Sequence, residues 1–425
     1  MPLHLFSAFG VELEYMIVER QRLNVLPACD TLIAAAHRLE GREEIAAGNP
    51  GDIDFGEIGW SNELCNHVIE LKTNAPAPTL EGLAVSFQAH VRKINGMLRD
   101  IRPPGAPDGA RLLPGAMHPW MDPACEKQLW PHEYGDVYSR FDQMFDCRGH
   151  GWANLQSVHL NLPFHGDATS DDEFGRLHAA IRLILPILPA LAASSPFMDG
   201  RATGLLDSRL DVYRHNARNI PIVSGGVIPE PVFTREQYSR VIYDAIDQAI
   251  APFNEDALLD HTWVNARGAI ARFDRGAIEI RVLDVQECPA ADCAMVAAIV
   301  EVLRALVSER WLTVNSQQTF DSDGLRSLLT RVIAAGDEAI LDDRDYLAAF
   351  GVETSSMTAG ELWRRLVEAC PPSPSFSPEL AVLLGEGPLA RRLLRATGPS
   401  PEPRAIRGVT RRLADCLEHG TMFHA

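Results

Sequence analysis

The stretch from Phe9 to Glu19, FGVELEYMIVE, sets two acids two residues apart in an otherwise apolar run. On an extended chain such residues share a face, with Cα atoms roughly 6 to 7 Å apart. Glu12 and Glu14 then point one way and Val11, Leu13 and Tyr15 the other. Adjacent carboxylates repel unless water, a base or a cation neutralises them. The pair therefore describes either an antiparallel strand with one wet face or part of a metal site. Three further segments repeat the pattern. In ELCNHVIELKTNAP, Glu70 stands between Ile69 and Leu71 with Glu63 in the approach; in SVHLNLPF, His159 and Asn161 alternate with apolar residues; in RFDRGAIEIRVLD, Glu279 and Arg281 oppose Ile278, Ile280 and Val282. If all four lie in one sheet with these faces together, five carboxylates and an imidazole converge near Arg281, an arrangement that is costly without cations. Carboxylate oxygens with few thiols nearby suit magnesium or manganese better than zinc. Magnesium held this way completes its shell with water and substrate phosphates, which makes a nucleotide its natural companion and arginine the natural partner of a transferring phosphoryl group.

Strands are expected at about 5–18, 66–73, 155–164 and 276–284. Between them, Thr79 can cap a helix whose apolar residues Leu80, Leu83, Phe87, Val91, Ile94 and Leu98 recur at three- and four-residue steps, and Pro103, Pro104 and Pro107 then break the chain into a loop. Helices are also expected at about 172–192, at 235–249 after the capping residues Thr234 and Gln237, and from Ala290 to Val314. Strands separated by long helical insertions describe an α+β domain. After about residue 320 the character changes. Thr358 opens a capping box, the turn-rich PPSPSFSP runs from Pro371 to Pro378, and Arg391, Arg392, Arg395, Arg404, Arg407, Arg411 and Arg412 form a basic region. That region reads as a solvated or subunit-facing helical surface, compatible with a homo-oligomer.

Composition narrows the partners. A formal net charge of -18 over 425 residues argues against a general role on nucleic acid or anionic membrane. Lysine occurs only at Lys72, Lys93 and Lys127, no G-x-x-x-x-G-K-[ST] loop is present and no G-x-S-x-G elbow occurs. The eight cysteines include no C-x-x-C pair, which together with the length predicts reduced thiols and a cytoplasmic location. No signal peptide is evident, and the most apolar run, Leu183 to Ala193, is too short to span a bilayer and carries Pro186 and Pro189.

FGVELEYMIV, IELKTNAP, VHLNLPF, ASSPFMDGRATGLLDSRLDVYRHN and WVNARGAIARFDRGAIEIRVLD, in this order and spacing, resemble the glutamate-cysteine ligase family of carboxylate-amine ligases, which belongs with glutamine synthetase. The resemblance runs from about residue 7 to 315. It implies a glutamine synthetase-like curved antiparallel sheet whose concave face holds ATP and Mg2+ or Mn2+, with helices on the convex side. With the change of character after about residue 320, this describes a ligase-like catalytic domain over residues 1–320 followed by a helical C-terminal extension, 321–425, which the motifs do not cover. Glu12, Glu14, Glu63, Glu70, His159 and Glu279 resemble the metal-binding residues, Glu279 and Arg281 the catalytic pair, and Arg281 the phosphate-facing arginine. Asn161, Arg209, Arg267 and Arg272 stand where the family contacts nucleotide or substrate. The implied activity joins a carboxylate, glutamate through its γ-carboxylate, to cysteine or another amine through an acyl phosphate. The alternative is a catalytically lapsed relative that binds nucleotide or metabolite as a sensor or assembly subunit. One departure is visible: the family's G-x-x-S-x-R appears as GLLDSR, with Asp207 in the serine position.

Overall fold

The computed structural model describes residues 3–48, 50–103, 106–165 and 172–425; Pro104, expected in the loop after the first long helix, lies outside them. In chain order the described strands that concern the site are β1 (Gly10–Glu19), β2 (Asp52–Asp54), β3 (Ile58–Asn62), β4 (Val68–Thr73), β5 (Ala110–Leu113), β6 (Ser157–Pro163), β7 (Phe197–Met198), β8 (Arg201–Ala202), β9 (Ala269–Arg272) and β10 (Ala277–Asp284). All but β7 and β8, which form their own ribbon, make one antiparallel sheet in the spatial order β2-β3-β4-β1-β6-β10-β9, with β5 pairing with the second half of β1. The four alternating segments are thus the centre of the sheet. Short β2, β3, β5 and β9 extend it and had no clear alternation to announce them.

The apolar face follows from the period of two. Val11, Leu13, Tyr15, Ile69, Leu71, Val158, Leu160, Ile278 and Ile280 are all fully buried. They join one core with the helices Leu83–Ile101, Asp172–Ile184 and Pro289–Val307. Each such side chain contributes about 1.5–3 kcal/mol by leaving water, so this face fixes which way the acids on the other face point.

Helix ends differ from expectation where local chemistry intervenes. Thr79 Oγ1 accepts only from the Glu81 amide, the chain turns through Gly82 at φ 87°, and the helix begins at Leu83. Thr234 caps the Gln237 amide as expected, but the Gln237 side chain accepts from Phe233 N. Pro186 and Pro189 break the helix expected at 172–192, which ends at Ile184 and continues as a 3-10 turn and a short helix. The Thr358–Glu361 capping box is complete.

Beyond residue 320, Leu325, Leu328, Leu329, Trp363 and Leu380 enter the same core as the sheet. The arginine-rich region is largely the solvated helical surface expected from its charge, with Arg395, Arg404, Arg407, Arg411 and Arg412 exposed, but it is also tied to the rest of the chain. Arg392 is wholly buried against Glu287, Arg391 bridges Asp337 and Glu338, Arg407 lies 4.2 Å from the Trp120 ring centroid, and Arg411 donates to the Gln21 carbonyl. The helix Pro403–His419 is also clamped from the sheet side, where Arg111 of β5 reaches Asp415 and Glu418, each at 2.8 Å. Only Arg391 and Arg392 are answered by carboxylates inside the chain, and the wholly buried Arg392 is the one whose desolvation requires it. Among the described residues no helix is long and apolar enough to cross a membrane.

Candidate active site

Register places the acids. Glu12 sits opposite Lys72 of β4 and His159 of β6; Glu14 sits opposite Glu70, which in turn faces Ser61 of β3; Asn161 sits opposite Glu279 of β10. Directly opposed residues share a face. The wet strand face is ruled out by burial: Glu14, Glu70 and His159 are each 6% exposed and Glu279 5%. Gly10 makes room for Asn161, since a Cβ there would come within 2.9 Å of Asn161 Cβ.

These groups hold one another in a continuous network. Glu12 Oε2 lies 2.7 Å from His159 Nδ1, and Glu12 Oε1 accepts from Asn161 Nδ2 at 3.0 Å. Glu14 accepts from the Ser157 amide and hydroxyl, and Ser61 donates to Glu70 at 2.6 Å. Lys72 Nζ reaches Glu70 at 3.4 Å. Glu279 is flanked by Arg281 Nε at 3.0 Å, Arg272 Nε at 3.4 Å and His159 Nδ1 at 3.9 Å. Titration follows from this crowding. Burial and the neighbouring charge of Glu12 push Glu70 up to about 7, against the pull of Lys72 and Ser61. Burial and the carboxylates of Glu14 and Glu70 raise Glu63 well above its ordinary value. Burial alone would raise Glu12 and lower His159, but their mutual hydrogen bond and charge reverse both, so Glu12 falls below the usual carboxylate range and His159 rises to about 9. Lys72 and a protonated His159 thus supply positive charge between the acids.

Glu12, Glu70 and His159 bring their ligating atoms within 4.8 Å of one another, and so do Glu14, Glu63 and Glu70. Two such groups sharing one carboxylate are an oxygen-rich donor set of the kind hard divalent cations take. Over them opens a cleft of about 460 Å3 whose lining includes Glu14, Glu63, His159, Arg209, Arg272 and Arg281.

Against known proteins, the model of "Glutamate-cysteine ligase family 2 (GCS2)" matches residues 8–413. The chain belongs to glutamate-cysteine ligase family 2. An uncharacterized protein of Archaeoglobus fulgidus is 30% identical over 361 residues, 83% of this chain and 91% of its own. A Bradyrhizobium protein named for glutamate–cysteine ligase 2 is 25% identical over 72% of this chain, and the match spans 62% of that protein's length. The fold is shared with Francisella tularensis glutamate–cysteine ligase, solved in complex with AMP, at TM-score 0.60 and 13% identity over 98% of this chain and 90% of that one. It is shared also with the bifunctional glutathione synthetase of Pasteurella multocida, at TM-score 0.54 and 13% identity, over 97% of this chain and 52% of that one.

Within this GCS2 member the remaining expected residues separate. Arg272 lines the cleft and contacts Glu279. Arg267 does not reach it: its fully buried guanidinium is consumed by Glu230 at 2.6 and 2.8 Å, the Ile222 carbonyl and Asn265. Arg209 supports from behind, pairing with Asp284 at 3.2 Å and donating to the Arg281 carbonyl at 2.7 Å. A bulge between Ile280 and Leu283 creates this support, because the extra residue brings Asp284 opposite Ser157 and so onto the acid face. Gly268 permits the close approach, accepting the Arg281 amide where a Cβ would meet Val282 Cγ1 at 2.7 Å. Asp207, the departure from the family's serine, caps the helix Ser208–Asn216 by accepting from the Leu210 amide at 2.7 Å. Serine and aspartate are comparable caps, so the local geometry accommodates the change. Burial and the charge of Asp284 hold its carboxyl well above the usual range. Ser61, Lys72, Ser157 and Asp284 are not among the residues expected from the sequence. Of these Lys72 and Ser157 carried a signal, each two residues along the same face from an expected site residue, Glu70 and His159 respectively.

Proposed function

We propose that the protein is an ATP-dependent carboxylate–amine ligase that releases ADP and phosphate and forms an amide through an acyl phosphate, with glutamate γ-carboxylate as the acid. The observation that carries this is the buried face on which Glu12, Glu14, Glu63, Glu70 and His159 crowd beside Glu279, Arg272 and Arg281. Family membership supports it, and so does the fold shared with a ligase solved with AMP. In keeping with that fold, the acid face is assigned as the concave side of a glutamine synthetase-like sheet. Eight unpaired cysteines and the need for ATP fit a reducing cytoplasm.

The donor set fits divalent cations, because Lys72 and protonated His159 already occupy the space between carboxylates as internal counter-charges. Glu12, Glu70 and, once its proton is displaced, His159 would hold one Mg2+ or Mn2+ and Glu14, Glu63 and Glu70 another. When bound, such ions screen the repulsion between nucleotide phosphates and an attacking carboxylate. The chain's own residues do the rest. Arg281 and Arg272 balance the charge on the transferred phosphoryl group as a substrate carboxylate oxygen bonds to the γ-phosphorus and the bond to ADP breaks. Glu279 keeps both guanidiniums aimed. An amine nitrogen then attacks the acyl carbon, the C–N bond forms, the C–O bond to phosphate breaks, and one proton is released. A screen of carboxylate and amine pairs for ADP release tests this. The expected result is release that needs both members of a pair; release indifferent to both contradicts it.

A further inference from the structure

The cleft is chemically divided along the strands. Arg272 and Arg275 lie at the β9–β10 end, near Ala277, which pairs with Pro163. At the other end, where Val68 opposes Met16 and Ser157 binds Glu14, the lining is Leu64, Val68, Tyr138, Phe141, Trp152 and Leu155. Two polar handles of this wall are engaged, while Asn216 Oδ1 and the Tyr213 hydroxyl, which also line the cleft, have no partner among the described residues. The Trp152 indole N–H donates to the Asn216 carbonyl at 3.2 Å, and the Tyr138 hydroxyl accepts from Asn62 at 3.1 Å, so each ring offers the cleft its apolar body. Phe145 stacks behind Trp152 at 5.0 Å and fixes the ring. Among the described residues the cations nearest this end are committed: Arg209 is 2% exposed and held by Asp284 and the Arg281 carbonyl, and Arg281, which feels the charge of Glu14 and Glu63, is paired with Glu279 at 3.0 Å. At the junction lie the carboxylates of Glu14 and Glu63.

We infer that this end of the cleft is the amine-acceptor subsite and that it takes a primary amine with an aromatic or branched apolar body and no carboxylate. An α-amino acid would bring its carboxylate either to an apolar wall whose nearest cations are committed or toward Glu14 and Glu63, both unfavourable. An arylalkyl amine reverses each term. Its ammonium head faces the acids before losing a proton, and its body replaces water against Trp152, Phe141 and Leu155. Trp263, 42% exposed and 5.8 Å from the Tyr134 ring, extends the apolar surface to the mouth of the cleft. The covalent step is unchanged: the amine nitrogen displaces phosphate from the acyl carbon.

This inference rests on the ligase reading, and the experiment separates the two. The full-length protein with Mg-ATP and glutamate is given hydroxylamine, which converts an acyl phosphate to a hydroxamate without needing the apolar wall. In parallel it is given 2-phenylethylamine, isopentylamine, ethylamine, cysteine and glycine, with amide and ADP followed by mass spectrometry. The expected result is hydroxamate formation together with kcat/KM at least about tenfold higher for 2-phenylethylamine and isopentylamine than for ethylamine, cysteine or glycine, the scale one or more buried methylenes confer. Hydroxamate formation with cysteine or glycine equal or better overturns the subsite and leaves the ligase reading standing. No hydroxamate and no amine-dependent ADP overturns both. Leu155→Arg, or Leu64→Arg if the first does not fold, places a cation in the wall. Either is expected to shift the ratio of kcat/KM tenfold or more toward amines that carry a carboxylate, and an unchanged ratio counts against the assignment.

Discussion

Crowded carboxylates make the metal-free protein sensitive to pH in a direction that the geometry dictates. Glu70 stands at about 7 in the folded chain, from an ordinary value near 4.5. A raised folded value means the native state binds more protons than the unfolded one across that interval, so stability falls as pH rises through it. At about 1.4 kcal/mol per tenfold, Glu70 alone withdraws on the order of 3 kcal/mol between pH 4.5 and 7. His159, raised from 6.5 to about 9, acts with the same sign: its contribution is complete below its unfolded value and is lost as pH climbs through the folded one. For 425 residues, with an unfolding entropy of about 2.1 cal/mol/K per residue, 3 kcal/mol corresponds to a melting shift of about 3 °C. Thermal melts with a chelator should therefore show the parent protein less stable at about pH 8 than at about pH 6. Glu70→Gln, which cannot lose the proton, should flatten the lower part of that slope. Saturating Mg2+ should stabilise the parent more at the higher pH, because cation and proton compete for the same oxygens. A metal-free parent whose melting temperature is level or rises over this range, or a Glu70→Gln variant with the parent's slope, refutes the crowding of these acids.

Other substitutions read other parts of the site. Glu279→Gln and Arg281→Ala should each keep the circular dichroism spectrum and lose on the order of a hundredfold or more in ADP formation, since both act on the transferring group; near-normal turnover in a folded variant removes the residue from the site. In Glu12→Gln/Glu14→Gln the Glu12–His159 ion pair is lost, and the further stabilisation conferred by Mg-ATP should shrink by about 2.7 kcal/mol for a hundredfold loss of affinity. Melts with and without Mg-ATP decide this, and an undiminished shift excludes both residues as ligands. Asp207→Ser should retain the cap of helix Ser208–Asn216, whereas Asp207→Ala should cost about 1 kcal/mol in denaturant unfolding; equal losses in the two would deny the capping role.

Alternation of polar and apolar residues carried the centre of the sheet, because burial of Val11, Leu13 and Tyr15 on one face leaves Glu12 and Glu14 no other direction. The same logic groups Glu70, His159 and Glu279 from sequence alone. What it could not carry was position beyond the period of two. The bulge in β10 shifts the face by one residue, so Asp284 joins the site although alternation from Glu279 places it on the opposite side. Arg267 and Arg209 looked equivalent in sequence, yet their destinations depend on Glu230 and Asp284, distant partners that only the tertiary fold supplies. Arg391 and Arg392 of the basic C-terminal run illustrate the same limit: net charge says nothing of Asp337 and Glu287, which pair with them. The apolar wall was invisible because its members come from three separate segments, around residues 64–68, 138–141 and 152–155.

Activation of the carboxylate by phosphorylation is the central claim. It is tested most directly by following heavy oxygen from a labelled glutamate γ-carboxylate through one turnover with Mg-ATP and an amine. Acyl phosphate formation transfers one labelled oxygen to the inorganic phosphate for each amide formed, because the C–O bond to the phosphorylated oxygen is the one that breaks. Phosphate released with ADP but free of label, at any ratio to amide, would contradict the claim.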